Sequence, residues 1–249
     1  MSTALPTRPV LHSEWIKIRS LRGSTAALIT ILALSVGIQA LAAAATGEAD
    51  GGALGDDPLF ASSYGIIWGQ VAAMAFGTTA LSAEFHNGAL RTSLAAVPSR
   101  TRFYLSKMAV IGGLALVVGQ ITGLLTFVAG QAFMGSHALR LGDPGTYRAV
   151  VGSGLYLTLI TLFAAGLTAL LRSGALVLSL LIPFVLMVSF IVGAATGGVA
   201  EFLPDRAGQL VMHGATDGRL GPWSGLGVLA LWAGAALAGG WVAVRRRAA

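Results

Sequence analysis

Six stretches of this 249-residue chain, residues 25–45, 62–83, 108–134, 149–171, 174–196 and 223–244, contain no Asp, Glu, Lys, Arg or His. A helix needs roughly 20 residues to cross about 30 Å of hydrocarbon, and each stretch reaches that length. An isolated apolar span must satisfy its own backbone, so each stretch predicts a helix. The ~10-residue alternation of a membrane barrel strand is missing. The expected fold is an all-α membrane protein with six transmembrane helices in a single domain, preceded by an N-terminal amphipathic interfacial helix. A soluble fold is excluded, because 10% of the residues are charged and 55% are hydrophobic, against about a quarter charged in a soluble domain. Basic residues before the first stretch and Ala42 to Ala45 at its end resemble a signal peptide. The run is longer than the ~7 to 15 apolar residues of a cleaved signal, so it is read as a retained span.

The charges left between the spans are sorted by sign. Of 16 Lys and Arg, 12 lie in the N-terminal segment, the loop after span two, the turn after span four and the tail; the alternate loops hold Arg140, Arg148, Arg206 and Arg219. Eight of ten acids lie on that second side, and only Glu14 and Glu84 lie with the 12 bases. Basic loops stay inside, so both termini are expected to be cytoplasmic in a plasma membrane, with residues 198–222 extracellular. The net charge of +6 is then a topology signal, and no nucleic-acid partner is expected. Tyr64, Tyr147 and Trp223 fall at outer span ends and Trp241 and Tyr104 at inner ones, while Trp68 and Trp232 lie deeper and read as packing residues.

An ionisable group in mid-bilayer costs roughly 2.5 to 3.5 kcal/mol and usually does proton, ion or voltage work where it persists. The six stretches hold none, which disfavours a secondary carrier with a carboxylate relay, a voltage sensor and a charged filter ring. Their polar residues are uncharged. Gln39, Gln70 and Gln120 are candidates for lining a translocation path, against the alternative of hydrogen bonds between helices. GxxxG pairs at Gly65/Gly69, Gly119/Gly123 and Gly193/Gly197 permit close helix approach, and Pro183 should kink span five.

Catalytic motifs are missing. A P-loop requires Gly before its Lys, and the chain's two lysines follow Ile16 and Ser106. Neither HExxH nor GxSxG occurs, no catalytic residue or metal ligand set is assigned, and Cys is absent. This chain cannot supply a Walker A site.

Two segments on the basic side carry information. Residues 9–23, PVLHSEWIKIRSLRG, read as an amphipathic helix with Leu11, Trp15 and Ile18 as its apolar stripe, turning into span one at Gly23. In the loop 84–107, Leu90, Leu94 and Val97 form a helical stripe, Pro98 stops it, and Ser99 can cap the next helix.

These residues resemble permeases of two-component ABC exporters of the type-2 class, especially those of high-GC Gram-positive (actinobacterial) bacteria. SEWIKIRSLRGS is similar to their SEWxKxRSxRS opening. Glu84, Gly88, Arg91, Pro98, Arg100 and Lys107 follow their E-x(3)-G-x(2)-R…P-x-R…K series, and FLPDRAGQLVM (202–212) resembles the segment before their last span. The resemblance implies a transmembrane subunit paired with a second permease copy and with separate ABC ATP-binding subunits. It has no cofactor of its own, since ATP and Mg belong to the partner ATPase. Glu14, Trp15, Lys17 and Arg19 would form the connecting helix, and Glu84, Gly88, Arg91, Pro98, Arg100 and Arg102 the ATPase-coupling element. The expected function is export of a hydrophobic or amphipathic drug, antibiotic, lipid or peptide. The alternatives are a non-transporting immunity or scaffold protein and, less favoured, a secondary carrier.

Overall fold

The computed structural model describes residues 7–46, 57–85, 89–97, 99–134, 138–215 and 218–246. Helix α1 (Thr7–Ser20) leads into α2 (Arg22–Thr46); then follow α3 (Pro58–Ala61), α4 (Tyr64–Ser82) with a 3-10 turn at Ala83–Phe85, α5 (Ala89–Ala96) and α6 (Arg100–Gln131). The chain continues through α7 (Thr146–Leu171), α8 (Gly174–Pro183), α9 (Ser189–Thr196), α10 (Pro204–Gln209) and α11 (Pro222–Arg246). Among the described residues, five helices are long and apolar enough to cross a membrane: α2, α4 with its terminal turn, α6, α7 and α11.

The fifth uncharged stretch is not one straight helix. Pro183 has no N–H to donate and its ring crowds the carbonyl one turn earlier. The ladder widens there into a π turn at Phe184–Val188 before α9 resumes, and a 3-10 turn at Gly197–Phe202 follows. Helix α6 extends the third uncharged stretch backward from 108 to Arg100, the start that Ser99 as a cap predicts. Ser99 caps it by accepting from the Arg102 N–H at 3.3 Å. The charges of Arg100, Arg102 and Lys107 end the apolar run without ending the helix. The α1–α2 break falls at Leu21, not at Gly23.

Helix α7 is the centre of the bundle: 67% of its apolar window is buried against 28% for α2, and it packs on α4, α6 and α11. Lipid gives no hydrophobic drive between helices, so close backbone approach must hold them together. A Cβ on Gly65 or Gly69 would overlap Ser35 of α2, and one on Gly119 or Gly123 would meet Gly154, Ser153 and Val150 of α7. Gly193 instead faces the Arg206 guanidinium, 2.9 Å from where a Cβ would sit. Large apolar side chains such as Ile29, Leu41 and Leu231 point outward, each about 70% exposed. Trp68 and Trp232 also face partly outward, at 39% and 45% exposed. Tyr104 is buried instead of lying at an interface, donating to the Leu237 carbonyl at 2.9 Å.

At the end of the bundle opposite α1, the segment after α9 folds back among the helices. Gly208 lies against the Tyr156 ring and Leu229, while Ala207, Val211 and Met212 are fully buried. Asp57 clamps this end: its carboxylate caps α3 at the Leu59 and Phe60 N–H groups and reaches His213 Nδ1 at 3.0 Å and the Gly214 N–H at 2.9 Å. At the α1 end, Arg100 donates to the Val244 carbonyl at 3.1 Å and Trp241 to Thr101 at 3.1 Å, which puts the end of α11 beside the start of α6.

Candidate functional site

Helix α1 turns a charged face inward. Val10, Glu14 and Ile18, spaced one turn apart, are buried at 4%, 3% and 1% exposure, whereas Leu11 and Trp15 of the expected apolar stripe are 37% and 44% exposed. In a bilayer the apolar face of a helix is free to look outward, and its polar face turns to whatever charges the bundle offers.

It meets an ion cluster. Lys107 on α6, with no exposed side-chain surface, lies 2.8 Å from Glu84 Oε1 and 2.9 Å from Glu14 Oε2. Lys17, one turn after Glu14, donates to Glu14 Oε1 at 2.8 Å and to Ser93 Oγ at 3.0 Å, and stands 3.5 Å from Glu84. Ser93 on α5 closes the ring by donating to Glu84 Oε2 at 2.8 Å. Two acids and two bases thus neutralise one another while joining α1, the end of α4, α5 and the start of α6. The short 3-10 turn at Ala83–Phe85 is what swings Glu84 under the bundle. A cleft of about 360 Å³ opens beside the cluster, bounded by Lys17, Leu21, Glu84, Thr92 and Ser93.

Burial works against the Lys17 ammonium, but the hydrogen bond to Glu14 and the fields of Glu84 and Glu14 outweigh it and hold its pKa above the ordinary lysine value. The stabilisation is therefore complete below about pH 10.4 and is lost as pH rises through the higher folded value. Lys17→Met should lower the unfolding temperature by a constant amount from neutral to mildly alkaline pH, the gap to wild type narrowing only above about pH 10.4. A gap that closes near neutrality would contradict this assignment.

Of the expected coupling and connecting residues, Glu14, Lys17 and Glu84 are brought together. Trp15 and Arg19 lie on the exposed side of α1, Arg91 is exposed on α5, and Arg102 sits in the first turn of α6. Gly88 and Pro98 lie outside the described residues. Lys107 and Ser93 complete the cluster; Lys107 is part of the motif series but reads from sequence as one more basic loop residue, and Ser93 carries no signal.

The three glutamines bridge helices. Gln39 donates to the Ala61 carbonyl at 3.0 Å and accepts from the Gly65 N–H at 2.9 Å. Gln120 donates to the Val151 carbonyl at 3.1 Å. Gln70 accepts from the Tyr156 hydroxyl, which in turn accepts from Gln209 at 3.3 Å. Close to this group is an acid that the uncharged spans do not contain: Asp205 of α10 is 2% exposed. Burial pushes its carboxyl above the usual carboxylate range, with Ser189 and the Arg206 field pulling the other way.

Five long apolar helices, two of them joined at one end by a neutral ion cluster that also ties in an extra-bundle helix and a loop helix, define a multi-pass membrane protein whose principal polar site is a structural junction. The family described as ABC-2 family transporter protein matches residues 10–193, and the chain belongs to it. It is an ABC-2 membrane permease, a class that lacks a catalytic ATPase domain and works with ATP-binding subunits. A search of curated proteins found no match.

Proposed function

We propose that this chain is the membrane-spanning subunit of an ATP-driven exporter, forming with a second permease copy the path for a hydrophobic or amphipathic compound. A separate subunit binds ATP and Mg and drives it. The observation that carries this reading, beyond family membership, is the cluster of Glu14, Lys17, Glu84 and Lys107. It ties α1, α5, the end of α4 and the start of α6 to one another. A push on α5 from an ATPase would reach α4 and α6 directly, biasing two packings of the bundle rather than doing chemistry in this chain.

The α1 end is taken as cytoplasmic in a bacterial plasma membrane. That end gathers 12 of the 16 bases, and the contact of Arg100 with Val244 supports both termini lying there. Residues 174–196 then make a sixth, broken crossing, with residues 198–222 on the extracellular side. Gly174 packs on Ser82 near the α1 end and Arg206 meets Gly193 further along, which supports this path.

Co-purification of the chain with its ATP-binding subunit, followed by drug-stimulated ATP hydrolysis by the complex, tests the reading. Arg91→Glu, on the exposed surface of α5, should weaken that association about tenfold with little change in thermal stability. An ATPase that fails to associate with wild type would favour a non-transporting immunity or scaffold protein; full association of Arg91→Glu would remove α5 from the contact.

A further inference from the structure

We propose that the groove between α2 and α6, with its mouth at α1, is a binding site for an anionic phospholipid of the leaflet at the α1 end. Two adjoining cavities form it. The first, about 70 Å³, is bounded by Trp15, Ile18, Arg19, Thr25, Leu28 and Leu114. The second, about 220 Å³, is bounded by Leu28, Ile29, Leu32, Val118 and Ile121. Leu28 belongs to both, so the two lie side by side.

The groove changes character along its length as a lipid does. Its mouth carries a guanidinium, an indole and a hydroxyl, while its deeper part is wholly aliphatic. Helices α2 and α6 both start at the α1 end, so Thr25 to Leu32 and Leu114 to Ile121 climb together. Seven residues rise about 10 Å, within the half-thickness of about 15 Å that one leaflet's chains occupy. Ile29 and Ile121 on its rim are 68% and 47% exposed, so the groove opens sideways to the bilayer.

The charge at the mouth selects the head group. Among the described residues neither Arg19 nor Arg22 forms an ion pair. Arg22 lies one turn before Thr25 on α2, on the same side of the helix. Glu14, the acid of α1, is committed to Lys107 and Lys17 and does not bound the groove. Two unneutralised guanidinium groups, with no carboxylate bounding the cavity, fit a phosphodiester carrying net negative charge, and Trp15 is the residue type that anchors at head-group depth.

The test uses the full chain purified in mixed micelles of dioleoylphosphatidylglycerol and dioleoylphosphatidylcholine, with retained lipid counted by mass spectrometry. Wild type is expected to hold phosphatidylglycerol at least fivefold above its share of the micelle. Arg19→Gln with Arg22→Gln, both surface changes, should return the ratio to that of the micelle. Val118→Trp, which fills the aliphatic part, should lower retention of both lipids. A wild-type ratio equal to that of the micelle, or selectivity unchanged in the arginine variant, would overturn the proposal. So would an Ile121→Cys variant that oxidises to a covalent dimer in membranes, because a second copy would then occupy the groove.

Discussion

Lys107→Ala is expected to destabilise the folded chain by about 3 to 5 kcal/mol, because it leaves Glu14 and Glu84 facing each other with one partly exposed lysine between them. Size scaling puts the fall in unfolding temperature on the order of 10 °C. The value of the cluster does not come from ion pairing as such, since buried pairs roughly offset their own desolvation. What is costly is imbalance. Adding Glu84→Gln to Lys107→Ala should therefore restore part of the loss, since one acid and one base remain opposite each other. Thermal unfolding of both single variants and the double variant in detergent measures this. Losses that simply add would mean the four groups do not act as a unit.

Gly65→Val should be comparably damaging by a different route. Its side chain would enter the Ser35 carbonyl, a backbone atom that cannot rotate away. Overpacking of this kind costs about 1 to 3 kcal/mol or more, and it would part α2 from α4 along the seam that Gln39 also bridges. Gly113→Ala is the natural comparison, because nothing lies within 4 Å of where its Cβ would sit. That change should raise stability by about 0.5 to 1 kcal/mol through backbone entropy. Equal effects of the two substitutions would show that α2 and α4 are not in the contact described.

The long helices were legible because an apolar run leaves the backbone no alternative in lipid. Pro183 was equally legible as a break, since the lost hydrogen bond is a local fact. The reach of α6 back to Arg100 was legible in Ser99 as a cap and not in the uncharged run, because charge marks the end of the hydrocarbon and not the end of a helix. The stripe Leu11, Trp15 and Ile18 marks the lipid-facing side of α1, where Leu11 and Trp15 are exposed, and carries no signal for the face turned to the bundle. Here the buried face is Val10, Glu14 and Ile18. One signal did point to the cluster: Glu14 and Glu84 are the two acids that break the sorting of charge, and both are consumed by it. The segment after α9 was illegible, because its helices are one or two turns long and are held by contacts such as Gly208 on Tyr156, which no local pattern encodes.

The order of the four cluster residues along the chain bears on how the protein is made. Synthesis runs from the N-terminus, so Glu14 and Lys17 emerge first, Glu84 next, and Lys107 last. The lysine with no exposed surface thus leaves the ribosome only after both of its counter-ions exist, and it never has to wait unpaired at the membrane. The three segments that supply the charges can lock together once α6 is delivered, before α7 and everything behind it has been translated. The charged junction can thus be assembled first, and the central helix of the bundle then added to a base already in place.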